Sequence, residues 1–353
     1  MKTSDFYFEL PERLVALYPA EKRGQSRLMI LDRSSGKRAH ETVSRLPEIL
    51  RGAGFLSPSG EKPLLVFNDT KVRKARLSCK SEMSMASVEF LLLENLQNGE
   101  WKTLAPRAKR RKPGSLYIFF DSYGERINQA EITRAQEEFR FLKFEKPIDD
   151  AWLDKYGHIP LPPYIKREDN PLDADRYQTI YARQTGSAAS PTAGLHFSKE
   201  ILDNLSAYGV ESAFVTLHVG LGTFSPVRSV NVEDHLMHEE KFHIDDQNAL
   251  KIEAAKKAGR KIVAVGTTSA RSLESAFHDG KIKRGDNATS IFIYPGYHFK
   301  AVDALFTNFH TPLSTLLMLV SAFATRELIM ESYKEAVKEE YRFFSYGDAM
   351  LIY

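Results

Sequence analysis

The sequence predicts an α/β protein, in which a layered α/β domain is discontinuous along the chain because a small antiparallel β-barrel-like domain is inserted in it. Two observations predict this fold class. From residue 186 onward, segments with helical spacing of apolar residues alternate with segments of strand-like alternation, which is typical of a layered α/β domain. Between residues 71 and 149, short strand-like runs follow one another closely, which indicates a small sheet or barrel. We therefore expect residues 1–70 and 150–353 to form the α/β domain and residues 71–149 to form the insertion.

The length and composition are those of a folded protein with two domains. With 353 residues, the chain exceeds the size at which a single core usually keeps growing. Its 42% hydrophobic and 27% charged residues exclude a disordered chain. The one cysteine, Cys79, rules out an intramolecular disulfide and fits a reducing compartment.

No segment of the sequence suggests a membrane or a secretory route. The first residues contain no apolar signal core. The longest apolar stretch, residues 313–324, is shorter than the about 20 residues that span a bilayer. We therefore expect a cytoplasmic protein that does not associate with membranes.

The α/β elements can be assigned in order along the C-terminal half. Ser198 is placed to cap a helix whose apolar residues recur at helical spacing, and Gly209 suits its C-terminal end. Residues 212–219 alternate as a strand does. An apolar helix is expected to open with Thr311 as N-cap and a proline at the first helical position, and to end at residue 324. The remaining predicted elements are helices over 245–259, 268–277 and 327–341 and strands over 261–265, 291–294 and 304–309.

The elements of the insertion are assigned from its turn signals. Asn98 and Gly99 form the strongest short hairpin signal in the chain, and they separate predicted strands over 87–94 and 101–105. A proline-rich passage, residues 159–164, marks the return to the α/β domain. Further strands are predicted over 116–120, 126–133 and 139–144.

Two glycines follow the strand that ends near residue 219. Gly220 and Gly222 invite comparison with a dinucleotide-binding loop, but position 225 is serine where that fingerprint needs a third glycine. An ordinary tight turn would explain both glycines. Their position beside His218 and Thr223 favours a ligand loop.

Another glycine, Gly266, lies between a predicted strand and a predicted helix, in the run Gly-Thr-Thr-Ser at residues 266–269. The N-terminus of a helix presents unpaired N–H groups and partial positive charge, so it suits a carboxylate or a phosphate. Plain capping of the helix by Thr267 or Thr268 is the alternative. Arg271 would either assist an anion or face solvent.

Histidines are dense in the middle of the chain, and His310 follows later. His235 and His238 are spaced to share one face of a helix, which permits metal chelation. That spacing is not the zinc signature His-Glu-x-x-His, so we expect no metal site. Each histidine alone is more often structural, but several of them beside glycine-rich runs favour proton transfer by at least one.

Five cations occupy six consecutive positions just before Pro113 and Gly114. Such a run is usually a solvated loop. On a small β-domain it is also suited to a phosphate backbone, whose binding is largely electrostatic, and the net charge of +3 is compatible with nucleic acid. The run comprises Arg107, Lys109, Arg110, Arg111 and Lys112. For a second basic cluster, both interpretations, a solvated segment and contact with RNA, stay open. This cluster comprises Lys71, Arg73, Lys74 and Arg76.

Six ordered runs of the sequence resemble the S-adenosylmethionine:tRNA ribosyltransferase-isomerase family of queuosine biosynthesis. No single run carries the resemblance, which extends from Asn68 to the C-terminus. The runs are residues 187–197, 217–226, 264–271, 294–297, 307–315 and 341–350.

The resemblance implies an enzyme that transfers and isomerises the ribosyl unit of S-adenosylmethionine onto 7-aminomethyl-7-deazaguanine in a tRNA anticodon loop. The product would be epoxyqueuosine in tRNA, with release of adenine and methionine. S-adenosylmethionine would be a consumed co-substrate, and no true cofactor is expected. The discontinuous α/β domain would be catalytic, the inserted domain would contact tRNA through its basic run, and we expect a monomer.

The chemistry that the resemblance implies requires a base at the carbon beside the sulfonium, a proton donor or hydrogen bonds for adenine, and an acceptor for the amine proton. The candidates for these acid and base roles are His196, His218, His310 and Glu239. The candidates for binding S-adenosylmethionine are Thr192, Gly194, Gly220, Gly222, Thr267 and Thr268.

The sequence departs from the usual pattern of this family at several positions. Ser225 stands where the family commonly has arginine, so an anion contact there is in doubt unless Arg228 substitutes for it. Ser190 stands where alanine is usual. Residues 72–76 lack an apolar-proline pair, and the Gly-Gly pair often found before the Val88 strand is missing.

Three other functions compete with this interpretation. Another S-adenosylmethionine-dependent RNA-modifying enzyme, such as a methyltransferase, would need a glycine-rich first βα loop, which we do not find. A non-catalytic RNA-binding protein would use only the basic insertion. A metallohydrolase would use His235 and His238.

Overall fold

The computed structural model of the protein describes residues 1–96, 98–220, 227 and 229–353. The predictions for Gly222, Ser225 and Arg228 concern residues outside these ranges.

The strands are β1 (Arg27–Leu31), β2 (Arg38–Thr42), β3 (Leu64–Asn68), β4 (Thr70–Val72), β5 (Arg76–Ser81), β6 (Ser87–Asn95), β7 (Glu100–Leu104), β8 (Leu116–Phe120), β9 (Arg126–Gln136), β10 (Phe139–Phe144), β11 (Gln184–Ser187), β12 (Glu211–Leu217), β13 (Glu240–Ile244), β14 (Ile262–Val265), β15 (Phe277–His278), β16 (Lys281–Ile282), β17 (Gly285–Thr289), β18 (Ala304–Asn308) and β19 (Ala349–Ile352). The α-helices are α1 (Leu46–Ile49), α2 (Asp150–Tyr156), α3 (Pro171–Arg176), α4 (Lys199–Ala207), α5 (Asp246–Lys257), α6 (Thr267–Ala276), α7 (Thr315–Phe323) and α8 (Arg326–Lys338).

The larger domain is built on a mixed sheet with the strand order β17-β13-β12-β3-β14-β18-β19-β1-β2. The four central strands β12, β3, β14 and β18 are parallel to one another. Strands β3 and β14 are buried along their whole length, as expected for parallel strands that are covered on both faces. The sequence therefore places continuous apolar runs at the centre of the sheet and alternating runs at its edges.

Helices cover both faces of this sheet. Along β3, Leu64 and Val66 face one apolar core, to which α5, α6, α7 and α8 contribute. Leu65 and Phe67 face the other core, to which α1 and α4 contribute. The alternation of strand side chains thus creates two cores, and the predicted layered α/β domain is confirmed.

Side-chain caps fix the starts of several helices. Ser198 accepts a hydrogen bond from the backbone of Ile201 and begins α4, as predicted. Ser314 accepts from the backbone of Leu317 and begins α7. The predicted opening of that helix at Thr311 is therefore wrong by about one turn, because Leu313 takes a positive φ of 59° that interrupts a helix.

Two further assignments from the sequence are wrong. Residues 291–294 are not a strand, because the chain leaves the sheet after β17. The segment that contains His235 and His238 is not helical. It follows a short 3₁₀ turn, Val232–Asp234, and continues irregularly into β13, so the two imidazoles do not share a helix face.

Six antiparallel strands close the smaller unit into a barrel in the order β10-β7-β6-β5-β8-β9. The predicted antiparallel barrel-like unit is confirmed, and the predicted strands correspond to β6 to β10 within three residues at each end. Strand β5 closes the barrel and was not assigned from the sequence. Phe90, Trp101 and Phe119 lie in the core of the barrel. The domain boundaries at residues 71 and 149 stay a prediction.

An ion pair of Arg76 with Asp169 and backbone hydrogen bonds between Arg76 and His158 join the barrel to the larger domain. Helix α2 packs against the barrel core through Trp152 and Leu153. Arg73 pairs with Asp150 at the start of this helix at 2.6 Å, and Lys74 donates to a backbone carbonyl of the same helix. Three of the four cations in the second basic cluster are thus engaged within the protein, and this observation favours the structural interpretation of that cluster. Over the described residues, none of the helices has the length and apolar character needed to cross a membrane.

Candidate functional site

A cavity of about 360 Å³ opens at the carboxyl edge of the parallel strands. Strands β3, β14 and β18 all end at this edge, which is where open α/β sheets bind their ligands. The described residues that line the cavity include no Asp, Glu, Lys or Arg. Its polar side chains include those of Ser190, Thr192, Thr267, Thr268, Asn308 and His310.

The N-terminus of α6 forms one wall of the cavity. Gly266 precedes the helix with a φ of 90°, a backbone conformation that favours glycine. Among the described residues no side chain caps this helix. The capping alternative for Thr267 and Thr268 is therefore wrong, and the first N–H groups of α6 remain suited to an anion.

Asn68 holds the ends of neighbouring strands in register below this wall. Its side-chain amide donates to the Leu217 carbonyl at 3.0 Å and to Thr268 Oγ1 at 3.2 Å. Its side-chain oxygen accepts from the backbone N–H groups of Leu217 and Thr70. Sequence reasoning gave Asn68 no role, because an asparagine at a strand end does not reveal its long-range partners.

His310 lines the cavity directly and is almost completely buried. Its Nε2 lies 3.0 Å from Thr307 Oγ1, and its backbone N–H donates to Tyr333 Oη. Burial lowers the pKa of His310 to about 3, because desolvation disfavours the charged imidazolium. The imidazole is therefore neutral near pH 7.

His196 lies behind the cavity wall and contacts Asn308. The Asn308 side-chain amide donates to His196 Nε2 at 3.1 Å and to the Phe344 carbonyl at 3.1 Å. Burial, together with the charges of Arg342 and Arg23, lowers the pKa of His196 to about 3. His196 does not line the cavity, so its contact with the site is made through Asn308, which the sequence analysis did not single out.

His218 does not line this cavity. It lines a second cavity of about 640 Å³, whereas the next residue, Val219, lines the first. His218 Nδ1 lies 2.8 Å from Thr70 Oγ1, and burial lowers its pKa. A Cβ on Gly186 would approach the His218 ring to about 2.9 Å, so glycine is required there.

Three of the residues predicted to bind S-adenosylmethionine line the first cavity, whereas two of the predicted glycines do not. Thr192 lines the first cavity with Thr267 and Thr268. Gly194 and Gly220 do not line it, and a Cβ on Gly194 would lie 2.1 Å from Tyr181 Oη, so the role of Gly194 is packing.

Glu239 is exposed to solvent and lines neither cavity. The neighbouring Glu240 is the buried carboxylate, and it forms an ion pair with the buried Arg271. The structure gives no support to Glu239 as a catalytic group. Arg271 does not face solvent, so that alternative is wrong, and it does not line the cavity. Its assistance to an anion stays a prediction.

The basic run forms a cationic loop between β7 and β8. Arg107, Lys109, Arg110 and Lys112 are exposed, and within the described ranges none of them pairs with a carboxylate. The buried Arg140 fixes the loop from below by donating to the carbonyls of Ala108 and Arg111, whereas the Arg111 side chain is half-buried. The loop thus offers four free positive charges on a fixed backbone.

The described ranges contain no group of three or more His, Cys, Asp or Glu side chains placed to hold a metal ion. Sequence reasoning also missed Tyr164, Phe344 and Ser345 as cavity residues. The last two fall in a run that carried the family resemblance. Only the fold brings that run, near the C-terminus, against the strand ends.

The fold and this site define an α/β protein with a cavity at the carboxyl edge of its large sheet and a cationic loop on a closed antiparallel barrel. A model of the family described as queuosine biosynthesis protein matches residues 3–352. The chain belongs to this family.

Relatives of known name match along the whole chain. A protein of Treponema denticola named S-adenosylmethionine:tRNA ribosyltransferase-isomerase is 52% identical, with 100% of both chains covered. A protein of Acetivibrio thermocellus with the same name is 48% identical over 100% of both chains. The crystal structure of an S-adenosylmethionine tRNA ribosyltransferase from Thermotoga maritima has a TM-score of 0.55 and 35% identity, covering 99% of this chain and 100% of that one.

Proposed function

We propose that the protein is an S-adenosylmethionine:tRNA ribosyltransferase-isomerase. It transfers and isomerises the ribosyl moiety of S-adenosylmethionine onto 7-aminomethyl-7-deazaguanine in the anticodon loop of tRNA. The products are epoxyqueuosine-tRNA, adenine and methionine. Family membership and full-length relatives of this name support the proposal. S-adenosylmethionine is a co-substrate that is consumed.

The single structural observation that supports this function best is the uncapped N-terminus of α6 in a cavity without charged side chains. The cavity volume of about 360 Å³ lies within the range of about 300–1,000 Å³ for small-molecule sites. The carboxylate of S-adenosylmethionine binds at the N–H groups of α6, beside Thr267 and Thr268. The described lining offers no cation that would compete for it.

His310 accepts a proton in this mechanism. The sulfonium acidifies the adjacent 5′ carbon, and His310 is a neutral imidazole in the same cavity, which is the protonation state that accepts a proton. Its pKa of about 3 makes it a weak base, so the transfer depends on the acidity that the sulfonium gives to the carbon. His196 acts through Asn308, which it helps to orient, and is therefore a positioning residue. His218, which lines the second cavity, is the candidate acceptor of the amine proton.

The cationic loop of the barrel binds the tRNA backbone. Its four exposed cations provide the electrostatic contact that nucleic-acid binding requires, and the anticodon loop presents an unpaired base that can enter a protein cavity. The cytoplasm is the compartment in which both substrates meet.

Product analysis tests the proposed function. The protein is incubated with S-adenosylmethionine and tRNA that carries the aminomethyl-deazaguanine, with a chelator present. We expect adenine and methionine to appear only with that tRNA. Release of S-adenosylhomocysteine would instead identify a methyltransferase, and binding of tRNA without any release would identify a non-catalytic RNA-binding protein. Loss of activity in chelator would support a metal-dependent enzyme.

A further inference from the structure

The second cavity lies on the outer face of the ribbon formed by β12, β13 and β17. Thr216 of β12 lies opposite His243 of β13, and His243 lies opposite Asp286 of β17. These three residues therefore form a row across the ribbon. The neighbouring row contains His218 and Lys241, whose backbones are linked by a hydrogen bond of 3.3 Å. Because residues two apart on a strand share a face, both rows line the same cavity.

The two cavities adjoin each other at one short segment of the chain. His218 lines the second cavity and Val219 lines the first. A reaction between two substrates requires their reacting atoms to meet, so the site of the second substrate must border the first. Two other cavities also border the first, through Ser345 and Leu316, but their volumes of about 20 and 10 Å³ are too small for a nucleotide. The second cavity adjoins the first at residues 218 and 219 and has a volume of about 640 Å³.

The charged groups of the second cavity are of both signs. Lys283 is exposed and, within the described ranges, has no carboxylate partner. Lys241 pairs with Glu94 of the barrel at 3.1 Å and is still three-quarters exposed. Asp286 is almost fully exposed and is held by His243 Nδ1 at 2.7 Å. Two exposed lysines and one exposed carboxylate thus line the same cavity.

We propose that the second cavity binds the target nucleotide of the RNA, so that S-adenosylmethionine and the acceptor base occupy adjoining cavities that meet at residues 218–219. This inference rests on the proposed function. Lys283 and Lys241 contact the phosphates that flank the base. The Asp286 carboxylate accepts hydrogen bonds from the base, and His218 faces the acceptor amine.

The chemistry of a deazaguanine nucleotide matches this lining. Replacing the nitrogen at position 7 leaves the N1–H and 2-amino donors of guanine unchanged, and a carboxylate is the side chain that accepts from both. Phosphates on either side of an unpaired base remain exposed to lysine. The ion pair of Lys241 with Glu94 places the barrel beside this cavity, so an RNA bound to both domains passes over it.

Lys283→Ala tests the phosphate contact against Lys281→Ala, which removes an exposed lysine two residues away that does not line the cavity. We expect Lys283→Ala to raise the KM for tRNA by about 5- to 10-fold and to reduce the slope of log K against log salt by about 0.7–1. The KM for S-adenosylmethionine is expected to stay unchanged in both variants. Equal KM values for tRNA in the two variants would overturn the inference.

Asp286→Asn tests the base contact against Asp279→Asn, an exposed aspartate outside the cavity. We expect a loss of about 10-fold in kcat/KM for tRNA, with an unchanged salt slope. A rise in the KM for S-adenosylmethionine instead would place that substrate in the second cavity and overturn the inference.

Binding of an anticodon stem-loop RNA without S-adenosylmethionine separates this inference from the proposed function. If the wild-type protein releases no adenine, the proposed function fails. Weaker stem-loop binding by Lys283→Ala than by Lys281→Ala supports an RNA site in the cavity whatever the reaction is, and equal binding contradicts one.

Discussion

At the scale of single residues, burial decides which protonation state each histidine brings to the site. His310 and His196 both have pKa values of about 3, so neither carries charge at physiological pH. The sequence predicted three candidate histidines but could not rank them. The ranking depends on which side chains reach the cavity, and only His310 does.

His310→Ala is expected to lower kcat by about 10²- to 10⁴-fold, the usual contribution of general acid–base catalysis. His196→Ala is expected to have a smaller effect, since it acts through Asn308. Steady-state release of adenine measures both. The control is His298→Ala, an exposed histidine outside both cavities. Near-normal turnover of His310→Ala and His196→Ala would show that neither histidine takes part in the reaction.

At the scale of secondary-structure elements, the site is assembled from strand ends and one helix start. The apolar runs predicted β14 and β18 closely, because the middle of a buried strand has a strong hydrophobic signal. The start of α7 was predicted about one turn too early. Leu313 takes a left-handed backbone conformation, and the preceding Thr311 and Pro312 do not predict it. Strand β5 was missed because its alternation is short and partly polar.

Gly266→Ala is expected to weaken binding at the N-terminus of α6. An alanine at a φ of 90° is strained by about 1–3 kcal/mol, and relief of that strain would tilt the first N–H groups of the helix. We expect the KM for S-adenosylmethionine to rise about 10-fold or more and the KM for tRNA to stay nearly constant.

Gly280→Ala is the matched control. Gly280 has a φ of 78°, and apart from its chain neighbours no described atom lies within 4 Å of the position that an alanine methyl group would take. The variant carries the same kind of backbone strain away from both cavities. If the two variants changed the KM for S-adenosylmethionine equally, the effect would be one of global stability and the anion site at α6 would be wrong.

The double variant Lys109→Ala, Lys112→Ala is expected to weaken tRNA binding and to reduce its salt slope by about 1.5–2. The reason is that both lysines are exposed and have no carboxylate partner within the described ranges. Binding is measured at several salt concentrations. The control removes two exposed lysines of α5, Lys251 and Lys257, and an equal loss in both double variants would mean that net charge alone matters.

At the scale of the whole molecule, a half-buried polar cluster fixes the barrel on the α/β domain. Asp169 accepts from Arg76, from His158 Nδ1 at 3.1 Å and from the Ile159 backbone at 3.1 Å. Desolvation acts to raise the pKa of Asp169, but these hydrogen bonds and the Arg76 charge outweigh it and lower the pKa to about 2. The same contact raises the pKa of His158.

Asp169→Asn is expected to lower the free energy of unfolding by about 2 kcal/mol at neutral pH. A depressed carboxyl pKa stabilises the fold above the ordinary value near 4 and loses this effect as the pH falls through about 2. His158 acts in the opposite direction, since its raised pKa stabilises the fold below about 6.5 and loses the effect as the pH rises.

Urea unfolding of the wild type and Asp169→Asn at pH 7 and pH 3 measures this difference. We expect the gap between the two proteins to shrink at pH 3. Asp150, the ion-pair partner of Arg73, is more exposed than Asp169. Asp150→Asn is therefore expected to lower the free energy of unfolding by less than about 1 kcal/mol. A gap that does not depend on pH would show that the Asp169 charge is not what stabilises the junction.

The sequence by itself determined the layered α/β domain, the inserted antiparallel strands and the family, because hydrophobic periodicity and ordered motifs are local properties of the chain. Only the tertiary structure decided which residues share a cavity. His218 and Val219 are neighbours in sequence and line different cavities, whereas Thr192 and His310 are far apart in the chain and line one cavity. The direction of a side chain at the end of a strand depends on the packing of distant elements, and no local pattern encodes that packing.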